Sequence, residues 1–552
     1  MNEQVKYNAQ TDVDFVLIGA GAAGGILAKE LSTAGFRIVV LEQGPFLRES
    51  DFKHDEYGHQ QQRAVFNDYR RQPTTFRTTE KEEAKIQPAI IYGRLVGGGS
   101  VVYAANYWRF REIDFIERSK WGPIAGTGFA DWPITYAELE PYYTKAEQEL
   151  GISGAPGPFD APRSKPYPLP PLPIKASGVL AERAARKLGW HAHPAPMAVI
   201  SKPYRGRAAC AHCGFCSYFG CEMKAKSSTL STLIPIALKS GNCEIRPNSY
   251  VRKIETDKAG RVTGVIYFDE NRREVFQRAK AVVLCANGAE SARLLLLSKS
   301  ARFAHGLANS SGKVGKYLMY NGHAGAGAVF DQPLNEYKSV GVSRIIQDWY
   351  ECDPKRGHYG GGALDARFIQ YPIGFAQRGL PPDAPRWGAE YKRMLGEYYT
   401  RTMTTLGHTT SLAMESNNIS LDPHVKDAWG LPAMRVTYQD HPDDMKMMAF
   451  VQQRGKELLE AAGARKVWLR PLRSQSLGFH LLGTCRMGND PRESVVNKYH
   501  RAHDVPNLFI CDGSSLVTSG RGQPTCTIQA LAFRAAEHIA RLAKSGEIKS
   551  AL

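Results

Sequence analysis

Nowhere in this 552-residue chain do apolar residues run far enough to cross a bilayer; the apolar stretches are strand-sized and interrupted, which sets a membrane-spanning helix aside. The first ten residues are polar and lack a charged-then-apolar leader, so no cleavable signal is expected on the chain itself. Basic residues never run beyond pairs such as Arg70-Arg71 and Arg272-Arg273, and no nucleic-acid module is recognisable. The excess of Lys and Arg over Asp and Glu, 71 to 54, therefore reads as solubility and as steering toward acidic partners or anionic headgroups. No internal repeat is evident. What is present is a globular composition, 43% apolar and 23% charged, on a chain long enough for two structural domains.

The most informative stretch is residues 15 to 42. An apolar strand, Phe15 to Ile18, runs into Gly19-Ala20-Gly21-Ala22-Ala23-Gly24, a helix is expected to about Ala34 with Gly35 as its cap, and a second strand, Ile38 to Leu41, ends in Glu42. Gly-x-Gly-x-x-Gly between a strand and a helix permits a tight turn, close approach of backbone to a pyrophosphate, and close packing of helix on strand. Glu42 follows the glycines at the distance, roughly 20 residues, where a carboxylate can accept from a ribose hydroxyl and repel a phosphate. The chain is expected to bind a dinucleotide.

Three further segments read as parts of the same domain. Gly93-Arg94-Leu95-Val96-Gly97-Gly98-Gly99-Ser100 is a second glycine-rich loop able to bring backbone against a flat ring or a phosphate. Val251 to Ile266 reads as strand, turn, strand, and the strand from Ala281 enters the turn Asn287-Gly288 before a helix at Ser291 to Leu297. Leu508 to Ile510 is a buried strand ending in Asp512-Gly513, followed by a helix from about Thr527 to Ala543. Strands with helices between them imply a parallel sheet. The fold expected is α/β, α+β overall: a discontinuous Rossmann-like domain (residues 10–150, 205–320 and 471–545) and a substrate domain on an antiparallel sheet (151–204 and 321–470). The proline-rich residues 153 to 175 read as an extended connection.

Cys210, Cys213, Cys216 and Cys221 place four of the ten cysteines within a dozen residues. Thiolates two residues apart can bend round one metal centre, as in iron-sulfur runs, whereas structural zinc, disulfides and plain thiols are the other readings. Phe215, Tyr218 and Phe219 would shield a cluster, and Lys224 and Lys226 would offset its charge. Among the scattered cysteines, Cys285 and Cys511 end apolar strands as buried thiols, and Cys485 and Cys526 read as small packing residues. Such thiol usage argues for assembly in a reducing compartment.

Taken together, these segments resemble the glucose-methanol-choline family of flavoprotein oxidoreductases over nearly the whole chain. The most specific element is Phe479-His480-Leu481-Leu482-Gly483-Thr484-Cys485-Arg486-Met487-Gly488, followed by Asp512-Gly513-Ser514 and Gly522-Gln523-Pro524-Thr525. Tyr107-Trp108-Arg109-Phe110, Asp131-Trp132-Pro133-Ile134 and Tyr142-Tyr143 point to the branch holding catalytic subunits of bacterial sugar dehydrogenases. The resemblance implies FAD, held by Gly19, Gly21, Ala22, Ala23, Gly24, Glu42, Gln43, Arg94, Gly98, Gly99, Ser100, Asn106, Val251, Asn287, Gly288, Asp512, Gly513, Pro524 and Thr525, with its ring between the two domains. It makes His480 the base that takes the substrate hydroxyl proton. At the family's second active-site position, usually His or Asn, stands Gln523, which can donate and accept but cannot act as a base; capping of its own loop is the bland reading. No His occurs from Gly93 to Phe110, with Val102 near where a covalently linked His would stand, so FAD is expected to be non-covalent.

The branch further implies a 3Fe-4S cluster on three of Cys210, Cys213, Cys216 and Cys221, a small partner subunit carrying an export signal, a cytochrome c acceptor, and a periplasmic location, with the cytoplasm as the alternative. The activity expected is oxidation of a glucoside or glucose, C3 ahead of the anomeric carbon. Glucose C1 or gluconate dehydrogenase, an oxygen-using sugar or alcohol oxidase, and a non-catalytic redox sensor are the alternatives.

Overall fold

A computed structural model describes residues 6–548. Its centre is Val13–Ile18, a β-branched, apolar strand buried along almost its whole length, as a strand covered on both faces must be. Parallel neighbours flank it in the order Cys243–Arg246, Ile38–Leu41, Val13–Ile18, Glu274–Leu284, Leu508–Ile510. Glu274–Leu284 serves two sheets: Ala279 to Leu284 pair with the central strand, while Glu274 to Arg278 form an antiparallel meander with Val262–Phe268 and Tyr250–Thr256. The helix Gly24–Thr33 buries Ile26, Leu27, Ala28 and Leu31 and ends at Gly35, whose φ of 96° is the left-handed stop expected there. The C-terminal helix Thr525–Lys544 packs against it and against Tyr136–Leu150.

The second layer is a six-stranded antiparallel sheet in the order Lys466–Leu469, Gly322–Val329, Thr402–Thr409, Gly362–Arg367, Val342–Ile346, Ala192–Pro194. Side chains alternate across it. On one face Ala324, Thr405, Gly407 and Leu364 meet the helix Pro442–Ala461, whose Met447, Met448, Val451, Leu458 and Leu459 recur at helical spacing. That helix starts cleanly, with Pro442 at its first position, His441 Nδ1 accepting from Asp443 N at 3.2 Å, and two acids in the first turn. On the other face His323, Leu406, His408 and Arg367 look into the space between the layers.

A third, four-stranded sheet ties the layers together. Thr74–Arg77, from the early part of the chain, lies parallel to Pro432–Thr437, with Lys85–Ile86 antiparallel on its other side and Asn418–Lys426 antiparallel to Pro432–Thr437 at the far edge. Residues 153 to 175 contain neither helix nor strand beyond isolated bridges from Ser153 to Leu169 and to Met197. None of the described helices is long and apolar enough to cross a membrane.

Candidate active site

Between the parallel sheet and the antiparallel sheet lies a cavity of about 550 Å³, within the range of cofactor and ligand sites. Its inner end is the glycine turn. Gly19 has φ 98°, and a Cβ there would stand 2.5 Å from Cys285 O; one on Gly24 would collide with Gly19 O. The second loop closes over the first: Gly98 has φ 53°, and its Cβ would come to 2.7 Å from Gly21 Cα. Only glycine permits this approach of two backbones, leaving a cradle walled by peptide groups.

Glu42 is buried at the foot of this cradle, where Oε2 accepts from Ala20 N at 3.0 Å and Oε1 from Gly44 N at 2.9 Å. Burial raises its pKa. The carboxylate therefore locks the turn, and each oxygen keeps a lone pair for a ligand hydroxyl. Opposite, Asp512 accepts from Asn287 N at 3.1 Å, Ser291 Oγ at 2.6 Å and Ser514 N at 2.8 Å, binding the turn Asn287-Gly288 to the last strand. The first turn of the helix Thr525–Lys544 also opens on the cavity, presenting the positive end of its dipole.

Of the residues expected to hold the dinucleotide, Gly19, Gly21, Ala22, Ala23, Glu42, Gln43, Gly98, Gly99, Ser100, Asn106, Val251, Asn287, Gly288, Asp512, Gly513, Pro524 and Thr525 all line this cavity. Two do not. Gly24 lies behind the turn, packed on Gly19, and the Arg94 guanidinium is turned to Gln43 O at 3.3 Å. Asn106 Oδ1 is buried without a partner, an orphaned acceptor on the cavity wall. Glycine cradle, acidic foot, helix terminus and orphaned acceptor together fit a dinucleotide with an attached ring.

His480 enters the cavity from the loop after Gly478. A Cβ on Gly288 would strike Leu481 O, and Thr484 Oγ1 donates to Gly288 O, so the loop is pressed against the Asn287-Gly288 turn. The His480 tautomer follows from its neighbour. Asn321 Nδ2 faces three carbonyls, Thr409 O at 3.3 Å, Ser519 O at 3.1 Å and Gly520 O at 3.1 Å, so that end must be the NH₂. Asn321 Oδ1 is then the acceptor 3.0 Å from His480 Nδ1, which carries the proton. Nε2 keeps its lone pair. Burial, aided by the nearby His408, lowers the His480 pKa to about 3, so the ring is neutral near pH 7.

Sequence reading missed the rest of the polar wall. His323 stands 5.4 Å from His480 and 5.3 Å from His408, ring centre to ring centre. His408 Nε2 lies 2.8 Å from Asp365 Oδ2, Arg367 grips both oxygens of Asp365, and Gln523 Nε2 is 3.4 Å from His408 Nδ1. Arg470 and Gln475 complete this end. Gln523 was read from its motif, but His323, Asp365, Arg367 and His408 sit on strands without one; the alternation of Asp365 with Arg367 and of Leu406 with His408 was the one available signal.

Cys210, Cys213, Cys216 and Cys221 line a second, apolar cavity of about 20 Å³ with His54 and Phe215. All four are free thiols, with Cys213 exposed and Cys216 pushed up to about 12 by burial. Cys210 Sγ accepts from His212 N and Cys221 Sγ from Lys226 N, at 3.4 and 3.5 Å. Among the described residues, no group of three or more His, Cys, Asp or Glu is placed to hold a metal ion. The four thiols nonetheless line one cavity together. Consecutive residues separate the two cavities: Cys216 lines the small one, Ser217 and Tyr218 the large one. The buried Lys226 ammonium bonds Cys216 O at 2.5 Å, Phe219 O at 2.7 Å and Tyr103 O at 3.1 Å, fastening the cysteine segment to the end of the short helix Gly99–Val102 that follows the second glycine loop.

Residues 13–320 match the N-terminal part, and residues 413–532 the C-terminal part, of the family described as GMC oxidoreductase. The chain is 35% identical to a 2-methyl-1,2-propanediol dehydrogenase of Mycolicibacterium austroafricanum, covering 96% of this chain and 95% of that one. It is 30% identical to the fructose dehydrogenase large subunit of Gluconobacter japonicus, covering 98% and 100%. Among solved structures, a formate oxidase superposes with a TM-score of 0.68 at 14% identity over 98% of this chain and 100% of that one, a likeness of fold.

Proposed function

The chain belongs to the GMC oxidoreductase family, and from that premise we propose that it is an FAD-dependent sugar dehydrogenase oxidising a ring hydroxyl of a glucoside or glucose, C3 ahead of the anomeric carbon. Membership makes it an oxidoreductase of CH–OH groups that binds FAD. Bound FAD supplies the two-electron acceptor for the carbinol C–H. The chain's residues do the remainder.

The observation that carries this reading is the neutral His480, its Nε2 lone pair fixed by the Asn321 contact, in the same cavity as the dinucleotide cradle. Nε2 accepts the hydroxyl proton as the C–H bond breaks, and Nδ1–H stays on Asn321 Oδ1. Around it His323, His408, Gln475, Gln523 and Arg367 offer a density of hydrogen-bonding groups suited to a polyol rather than to a simple alcohol. Val102, buried on the cavity wall, has no atom for a covalent link, in keeping with non-covalent FAD. The preference for C3 rests on Gln523 in place of the usual Asn, whose extra methylene alters the pose of the sugar.

Electrons leave, in this reading, through a 3Fe-4S cluster held by three of the four thiols at Cys210, Cys213, Cys216 and Cys221, which adjoin the main cavity through Ser217 and Tyr218. A small subunit bearing an export signal and a cytochrome c acceptor in the periplasm complete the proposal; the relative named as a large subunit supports a companion chain. An anaerobic optical and EPR titration of the purified chain with a sugar panel, with iron and acid-labile sulfide assayed, tests it. Flavin bleaching by a glucoside with an iron-sulfur signal is the result expected. Iron-free protein that makes peroxide rapidly would replace the dehydrogenase with an oxidase.

A further inference from the structure

Hydrogen-bond chemistry assigns every proton in the row Arg367, Asp365, His408, Gln523. Arg367 only donates, and its grip on both oxygens keeps the Asp365 carboxyl ionised, its pKa lowered to about 2 despite burial. A carboxylate only accepts, so the His408 nitrogen 2.8 Å away, Nε2, bears a proton. Arg367 Nη2 is also 3.0 Å from that nitrogen, but the other tautomer would set an Nε2 lone pair against the carboxylate. Burial keeps His408 neutral, which leaves the lone pair on Nδ1. Gln523 therefore meets Nδ1 with its amide N–H, at 3.4 Å, and its Oε1 is turned away from His408. The ring itself is held: Trp108 lies edge-on at 5.3 Å, and a Cβ on Gly522 would come within 2.9 Å of His408 Cβ.

We propose that His408, set by Asp365 and Arg367, is a positioning residue that makes Gln523 present an acceptor to the substrate, and that the site is built for a carbinol with a second hydroxyl beside it. His480 Nε2 is an acceptor as well. With Asn106 Oδ1 left to the cofactor, two acceptors remain for the substrate and ask for two donors: the reacting hydroxyl gives its hydrogen bond to His480 and the neighbouring hydroxyl gives one to Gln523 Oε1. A substrate lacking the second hydroxyl leaves a buried acceptor unpaired. This inference rests on the dehydrogenase reading with His480 as base.

The experiment is anaerobic stopped-flow reduction of the FAD-loaded protein by methyl β-glucopyranoside and its 2-, 3- and 4-deoxy analogues, and by 1,2-propanediol against 1- and 2-propanol. Wild type is expected to lose about 100-fold or more in the second-order reduction constant when the adjacent hydroxyl is removed. His408→Leu should shrink that discrimination to about tenfold or less, whereas His408→Asn, which keeps an acceptor near the Nδ1 position and a donor near Asp365, should hold it within about threefold of wild type. Should His408→Leu not retain FAD, Gln523→Met carries the same test. Deoxy analogues and mono-alcohols reacting as fast as their parents would overturn the proposal, as would both His408 variants slowing all substrates equally. Unimpaired bleaching in His480→Ala overturns the base assignment instead, and no bleaching by any probe overturns both.

Discussion

At the scale of the residue, the decisive unit is a histidine and the amide behind it. His480→Ala should retain FAD, because the cradle lies elsewhere in the cavity, yet slow substrate-driven flavin bleaching by about 10³-fold, the range for a removed general base; stopped-flow spectroscopy reads both. Asn321→Leu leaves the imidazole in place but frees it to protonate either nitrogen. The expected result is kcat lower by about 10- to 100-fold with KM changed by less than about threefold. A drop confined to KM would mean that Asn321 acts on substrate binding and not on the tautomer. His480 itself was legible in the sequence because it sits in a motif. Asn321 was not: it is a lone amide ahead of a strand, and its meaning comes from three carbonyls contributed by residues 409, 519 and 520.

At the scale of the element, glycine spacing carried most of what the sequence disclosed. A strand, a turn with fixed glycines and a helix are local, so residues 13 to 41 could be read almost to their ends. Gly98 is the test of the loop that closes over them. Gly98→Ala meets both a left-handed φ and the Gly21 backbone, and should yield protein that purifies without flavin while keeping its far-ultraviolet circular dichroism. Retention of stoichiometric FAD would show that the two loops can part. The antiparallel sheet was legible only as a class. Alternation tells which residues share a face but not which face is covered, and the covering helix Pro442–Ala461 is what sends Ala324, Thr405 and Gly407 inward and leaves His323 and His408 to the cavity. The second row of the site was hidden for that reason.

At the scale of the molecule, neutral histidines bear on the response to acid, His500 fully buried and His480 and His323 half-buried on the cavity wall. In the folded chain the pKa values of His480 and His500 are lowered to about 3, and that of His323 lies well below its usual value, in each case chiefly by burial. The unfolded chain binds these protons near pH 6.5. Between that pH and about 3 the unfolded state holds more protons, so stability is intact above pH 6.5 and falls as pH falls through this window. The urea midpoint of the FAD-free chain is expected to drop measurably from pH 7.5 to pH 5; an unchanged midpoint would mean that these rings are solvated or already protonated in the folded state.

The parallel sheet has a further consequence, for the order in which the protein can be made. Its central strand, Val13–Ile18, is flanked by a strand that emerges more than two hundred residues later, and the sheet is completed by Leu508–Ile510 and covered by Thr525–Lys544. The strand at residues 13 to 18 therefore sits in a sheet that stays unfinished until residue 510 has been made. The cofactor's seat closes only once residues 512 to 525 are in place, and a fragment cut anywhere before residue 508 has no finished site to load.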